Sequence, residues 1–143
     1  MAAATDLKSP VVHGVLQELI TNEPMTAVVT LPGTDYRLHL VVDEAAVAKL
    51  PPAGKRLAGT IRARAKRVDK VHTGGRYIEP VYGRPRRVQG LVIAIDDAHN
   101  TITVQAACPM VCELTSPGQK AGEFADGDLV SFDVEKGARL ELA

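Results

Sequence analysis

"RVQGLVIAIDDAHNTITVQA", residues 87–106, decides how the rest of the chain is read. An apolar run from Val88 to Ile95 meets a polar break, Asp96 to Asn100, after which Ile102, Val104 and Ala106 alternate with Thr and Gln. Alternation with a period of two lines one face of a strand with apolar side chains, and Asp and Asn are turn residues, so the stretch reads as a β-hairpin. A second hairpin is written in "TAVVTLPGTDYRLHLVV", residues 26–42. Its Pro32-Gly33-Thr34-Asp35 is a turn with a mechanism, since Pro presets φ and Gly accepts positive φ. Short Val-, Ile- and Thr-rich runs, broken by Pro and Gly every 8–12 residues or so, indicate a small all-β barrel or sandwich.

The chain has 143 residues, about one domain or two very small ones. Its 45% apolar and 24% charged content is that of an ordinary globular protein rather than a disordered tail. With no Trp, three Tyr and two Phe, the core must be filled by Val, Leu, Ile and Ala. No apolar run approaches the ~18–20 residues of a membrane helix. The opening "MAAATDLKSP" lacks the basic and apolar regions of a secretory signal, and two cysteines are no disulfide framework, so the expected compartment is the cytoplasm.

Set side by side, the two halves look alike. "VHGVLQELITNEPMTAVVTL" and "VQGLVIAIDDAHNTITVQA" share V-x-G, a polar turn about ten residues on, and T-x-x-V, at an offset of 75 or 76 residues. In each a third strand follows ("YRLHLVV"; "MVCELT"), then a connector ("DEAAVAKLPPAG"; "SPGQKAGEFADG"), then a last strand pair ("KRLAGTIRARAKRV"; "DLVSFDVEKGARLEL"). The expected organisation is therefore a first repeat at 10–70, a Gly- and Pro-containing basic arm at 71–86 and a second repeat at 87–143. One segment argues back: apolar residues at 11, 12, 15, 16, 19 and 20 have helical spacing, and Ser9-Pro10 reads as a helix start. Gly14, the β-branched pair Val11-Val12 and the repeat favour a strand there. The connector "DEAAVAKL" is expected to be a short helix capped by Asp43.

Three strands, a short helix or loop, then two more strands is the order of the OB-fold barrel. "RVQGLVIAIDDAHNTITVQA" resembles the opening hairpin of OB-type modules, and "FADGDLVSFDV" resembles their entry into the fourth strand. The resemblance implies two small OB-like barrels and no particular activity, because one fold hosts many functions.

Charge is unevenly spread. The chain is neutral overall, yet residues 55–87 hold 11 of the 17 Lys and Arg and only two of the 17 acidic residues. From Ile61 the alternation is strict, Ile61, Ala63 and Ala65 against Arg62, Arg64 and Lys66, which lines three cations along one strand face about 6.6 Å apart. The phase slips at Lys66-Arg67, the signature of a bulge or bend. Beyond it, Gly74-Gly75, Pro80, Gly83 and Pro85 mark a loop or exposed hairpin arm, in which Tyr77 and Tyr82 are interleaved with Arg76, Arg84, Arg86 and Arg87.

Arginine with tyrosine on a β-barrel is equipment for single-stranded nucleic acid: guanidinium forks take phosphates and aromatic faces stack bases. The leading expectation is thus a non-catalytic module for RNA or single strands. Arg62, Arg64, Lys66, Arg67, Arg76, Arg84, Arg86 and Arg87 would take phosphates while Tyr77 and Tyr82 stack. The alternative is an interaction or assembly module whose arm docks on an acidic surface of a partner or second subunit, or pairs within its own chain.

Other constellations point to structure. Cys108 and Cys112 would lie ~13 Å apart on a straight strand, too far for a disulfide or a shared metal. A tight turn at Pro109 would bring them closer, with His99 as a third ligand. Buried thiols are the preferred reading. His13, His39, His72 and His99 stand singly, without a partner carboxylate at a telling spacing. Asp96-Asp97 and Asp126-Gly127-Asp128 suit hard cations but are also what turns require. "HTGGR" lacks a phosphate-loop ending, and no nucleophile–base pair appears, so neither catalysis, a cofactor nor a metal is expected.

Overall fold

The computed structural model describes residues 9–143, so most of the opening segment read for a secretory signal lies outside the described residues. Twelve strands form: β1 Val11–Ile20, β2 Thr26–Thr30, β3 Arg37–Val41, β4 Arg56–Ala65, β5 Asp69–Lys70, β6 Tyr77–Glu79, β7 Tyr82–Gly83, β8 Arg87–Asp96, β9 Thr101–Gln105, β10 Pro109–Leu114, β11 Leu129–Asp133 and β12 Arg139–Leu142. A six-residue helix, α1 Glu44–Lys49, follows β3, and a 3₁₀ turn, Ala121–Glu123, follows β10. The Asp43 carboxylate accepts the Ala46 amide at 2.8 Å, so the expected cap closes the helix start. None of the described helices is long and apolar enough to cross a membrane.

The segment with helical spacing is a strand. β1 pairs with both β2 and β4, and its tightest constraint is Gly14, where an added Cβ would meet Val29 Cγ1 at 2.6 Å and the Thr30 carbonyl at 3.0 Å. Gly90 is held the same way by the Gln105 backbone. The shared V-x-G is therefore a demand for close approach of the next strand, which overrides helical periodicity. The two meanders also match in register. Pairing slips between Leu16 and Glu18 in β1–β2, and between Val92 and Ala94 in β8–β9. Each slip is a β-bulge that sharpens the local twist.

β1, β2, β3, β12 and β4 close on one another as a barrel, since β4 returns to β1. The last strand of the chain thus enters among the first strands, parallel to β3 and antiparallel to β4. β4 in turn runs on past β1 and pairs through Arg62–Ala65 with β10, in parallel. A bridge from Ala65 to Val134 joins it to the end of β11, which pairs β8. The expected strand pair in "KRLAGTIRARAKRV" is one ten-residue strand: Gly59 makes no turn but lets β12 approach closely, since a Cβ there would meet the Glu141 carbonyl at 2.6 Å. Leu57, Ile61, Ala63 and Ala65 are all buried in a single core that also holds Leu38, Leu40, Val88, Ile102, Met110 and Phe132.

The expected exposed arm is a strap. β6 pairs antiparallel with β8, and β7 pairs in parallel with β3, so residues 77–83 tie the two meanders together. Ile78 is 1% exposed and its amide donates to the Tyr36 hydroxyl. Burying one isoleucine is what converts a Gly- and Pro-rich segment from a projecting hairpin into a bound one.

Candidate functional site

The end of β1, the start of β2 and the outer face of β3 form one wall of an open cleft of about 600 Å³. Ile20, Thr26 and Val41 are adjacent in the ladder, Thr26 pairing with both others. Pro24 and Ala138 extend this wall, and His39 lies within it. In β3, His39 alternates with the buried Leu38 and Leu40, and so faces outward. Its ring lies 5.3 Å from that of Tyr82, and its Nε2 is buried without a hydrogen-bond partner. Arg84 and Arg86, which leave the strap after β7, and Lys136, from the turn between β11 and β12, line the cleft as well. Among the described residues these three cations form no ion pair, and no carboxylate lines the cleft.

A smaller cleft, about 270 Å³, lies where β4, β10 and β12 meet, and Lys136 and Gly137 border both. It occupies the corresponding place in the ladder: Thr101 pairs with Asp96 and Glu113 as Thr26 pairs with Ile20 and Val41. Its cations are Arg62, Arg64, Arg139 and Lys136. Here each arginine has a carboxylate partner. Glu141 binds Arg62 Nε at 2.6 Å and Arg139 at 3.1 Å, and Glu135 lies 3.7 Å from Arg64 Nε. The hydrogen bond from Arg62, supported by Arg139, holds the Glu141 carboxyl below its ordinary value.

Of the ten residues expected to bind nucleic acid, Tyr82, Arg84, Arg86 and Arg87 line one open pocket of about 550 Å³ beside Glu79, and Arg62 and Arg64 line the smaller cleft. Four of the eight cations are paired within the chain: Arg62 with Glu141, Arg64 with Glu135, Arg67 with Asp69 and Arg87 with Asp133. Arg87 also donates to Ser131, and its pKa is raised, chiefly by the Asp133 hydrogen bond. Tyr77 is in the β6–β8 ladder with its hydroxyl donating to Gln89 at 3.3 Å. Tyr82 is exposed, but its ring already carries the Arg37 guanidinium at 5.4 Å and the His39 ring. Lys66 and Arg76 have no ion pair among the described residues and line neither cleft. Arg84 and Arg86 alone of the ten meet in the larger cleft.

Several singletons found local roles. His99 has a partner after all: its Nδ1 lies 2.8 Å from Asp96, and the contact lowers the Asp96 pKa. Asp96 also accepts the His99 amide and Asp128 accepts the Ala125 amide, so each acidic cluster closes its own turn. Cys108 and Cys112 are buried free thiols, pushed up to about 12 by burial. Thr26, His39 and Lys136 went unread as site residues. The outward position of His39 between two leucines was visible in sequence, whereas nothing local connects Lys136 with a strand almost a hundred residues away.

No family model matches the chain, and no curated protein matches it. Among solved structures it is similar to the cytoplasmic molybdate-binding protein ModG, in a form with molybdate bound. Identity is 17% and the TM-score 0.53, over 93% of this chain and 94% of that one, a likeness of fold. The finding overturns both partner expectations, RNA or single strands and an acidic protein surface or second subunit. The chain whose fold this one shares binds molybdate, an anion, and here four of the eight cations expected to take phosphates are paired with the chain's own carboxylates.

Proposed function

We propose that the protein is a non-catalytic binder of a small-molecule anion, held in the larger cleft by Arg84, Arg86 and Lys136. One observation carries the reading: three cations share a cleft that, among the described residues, no carboxylate lines and in which none of the three is ion-paired. Like charges held together without a partner repel, and an anion placed among them removes that repulsion while accepting hydrogen bonds from guanidinium forks. The orphan His39 Nε2 adds a polar group within the same wall. The likeness to ModG supports an anion as the class of ligand. The cleft pairs no nucleophile with a base, which supports binding rather than catalysis.

The matching registers and bulges of the two meanders support a further part of the proposal. Residues 10–70 and 87–143 are two copies of one OB-like unit that exchange their final strands, β4 and β12, with 71–86 as the strap between them. On that reading the two clefts are the same site in the two copies, one left charged and one with its arginines paired to carboxylates.

Isothermal titration calorimetry with molybdate, sulfate and phosphate tests the proposal. A five-atom oxyanion cannot exceed about 7.5 kcal/mol, a Kd of a few micromolar, and an exposed cleft will give less. Saturable binding at micromolar to millimolar anion, weakening as salt rises, is expected. Absence of heat for all three at 10 mM, with the organic anion below also silent, would remove the reading.

A further inference from the structure

We infer that the anion taken by the larger cleft is organic, with a phosphate or carboxylate head on Arg84, Arg86 and Lys136 and an apolar body against Ile20, Pro24, Val41 and Ala138. The inference rests on the proposal that this cleft takes an anion, and it names the class of that anion.

Two observations carry it. The first is size. At about 600 Å³ the cleft falls in the range of sites that hold organic ligands, whereas a tetrahedral oxyanion fills the space of only a few waters. The second is the chemistry of the wall. Ile20 and Val41 flank Thr26 in the ladder; in the other meander the residues flanking Thr101 are Asp96 and Glu113, and Glu113 lines the smaller cleft. The same scaffold thus carries aliphatic side chains at the two places where its counterpart carries carboxylates. A hydrated inorganic anion gains nothing from such a wall, because it has no apolar surface to withdraw from water. A ligand with a hydrocarbon or aromatic body does.

The geometry divides the labour. The strap and the β11–β12 turn supply the cations, while the first meander supplies the apolar surface, with Pro24 beyond the end of β1. Thr26 stands between the apolar pair, its hydroxyl donating to the Pro24 carbonyl at 3.1 Å.

The test compares phenyl phosphate with inorganic phosphate by calorimetry at pH 8, where both are mainly dianions. Phenyl phosphate is expected to bind at least tenfold more tightly. Val41→Thr and Ile20→Thr keep the β-branched shape and remove apolar surface. They are expected to shrink that ratio severalfold, with the melting temperature showing that the folded state is kept. If both ligands bind with equal affinity, the organic class is wrong and the anion proposal stands. If the ratio is large but neither substitution moves it, the apolar body lies elsewhere and this assignment fails. If neither ligand nor molybdate binds, the anion proposal falls and takes this inference with it.

Discussion

Arg62 of β4 and Arg139 of β12 stand directly opposite each other across an antiparallel ladder, where the last of the described strands closes the barrel. Like charges in that position repel. Glu141, on the same strand as Arg139, reaches both and turns a repulsive pair into a three-member network. The network explains how a basic strand can lie at the seam.

Removing that carboxylate exposes the repulsion. Glu141→Gln should lower stability by about 1 kcal/mol at neutral pH, a figure kept small because all three side chains are more than a third exposed. The Glu141 carboxyl is depressed in the folded state, so its contribution is present above the unfolded carboxylate value and is lost as pH falls through the folded one. Urea unfolding at neutral and acid pH should therefore find wild type and variant converging in acid.

Gly90 should tolerate no side chain. A Cβ there runs into the Gln105 carbonyl, so Gly90→Ala must push β8 from β9. A loss of about 1–3 kcal/mol is expected in denaturant unfolding, the usual cost of overpacking. Gly14→Ala should behave alike, through the Thr30 backbone.

Replacing Arg84, Arg86 and Lys136 together by Ala should abolish anion binding in calorimetry and leave stability within about 0.5 kcal/mol, since none of the three is in an ion pair among the described residues. Arg62→Ala with Arg64→Ala should keep most of the binding, because those guanidiniums already serve Glu141 and Glu135.

The strap offers an independent handle. Ile78→Ala removes a side chain that is 1% exposed, at a cost of about 2–4 kcal/mol. Because Arg84 and Arg86 follow in the same segment, anion affinity should fall as well, although Ile78 does not line the cleft. Binding measured well below the melting transition separates the two effects.

Both thiols should resist a disulfide reagent at pH 8 in the folded protein and react on unfolding. Cys108 and Cys112 are buried and stay protonated to about 12. Their folded pKa is raised, so their contribution to stability is intact below the unfolded thiol value and drains away as pH climbs toward 12. Unfolding curves between pH 8 and 10.5 check the sign.

Local chemistry was enough for much of the architecture. The alternation in Val88–Gln105, the V-x-G pairs and the Asp43 cap each depend on neighbours in sequence, and each forms as the residues demand. The strict alternation of Ile61 to Ala65 also correctly put the arginines on the outer face of β4. What those arginines do was not legible there. Glu141 meets Arg62 only because β12 pairs with β4, and a pairing so distant in sequence is a long-range choice made by core packing and open strand edges. The same folding brings Lys136 beside Arg84 and Arg86, and lays Ile20 and Val41 against them. Pattern in the chain sets which face of each strand is wet, but which wet faces meet is decided when the sheet closes, because only then do residues a hundred positions apart share one cleft.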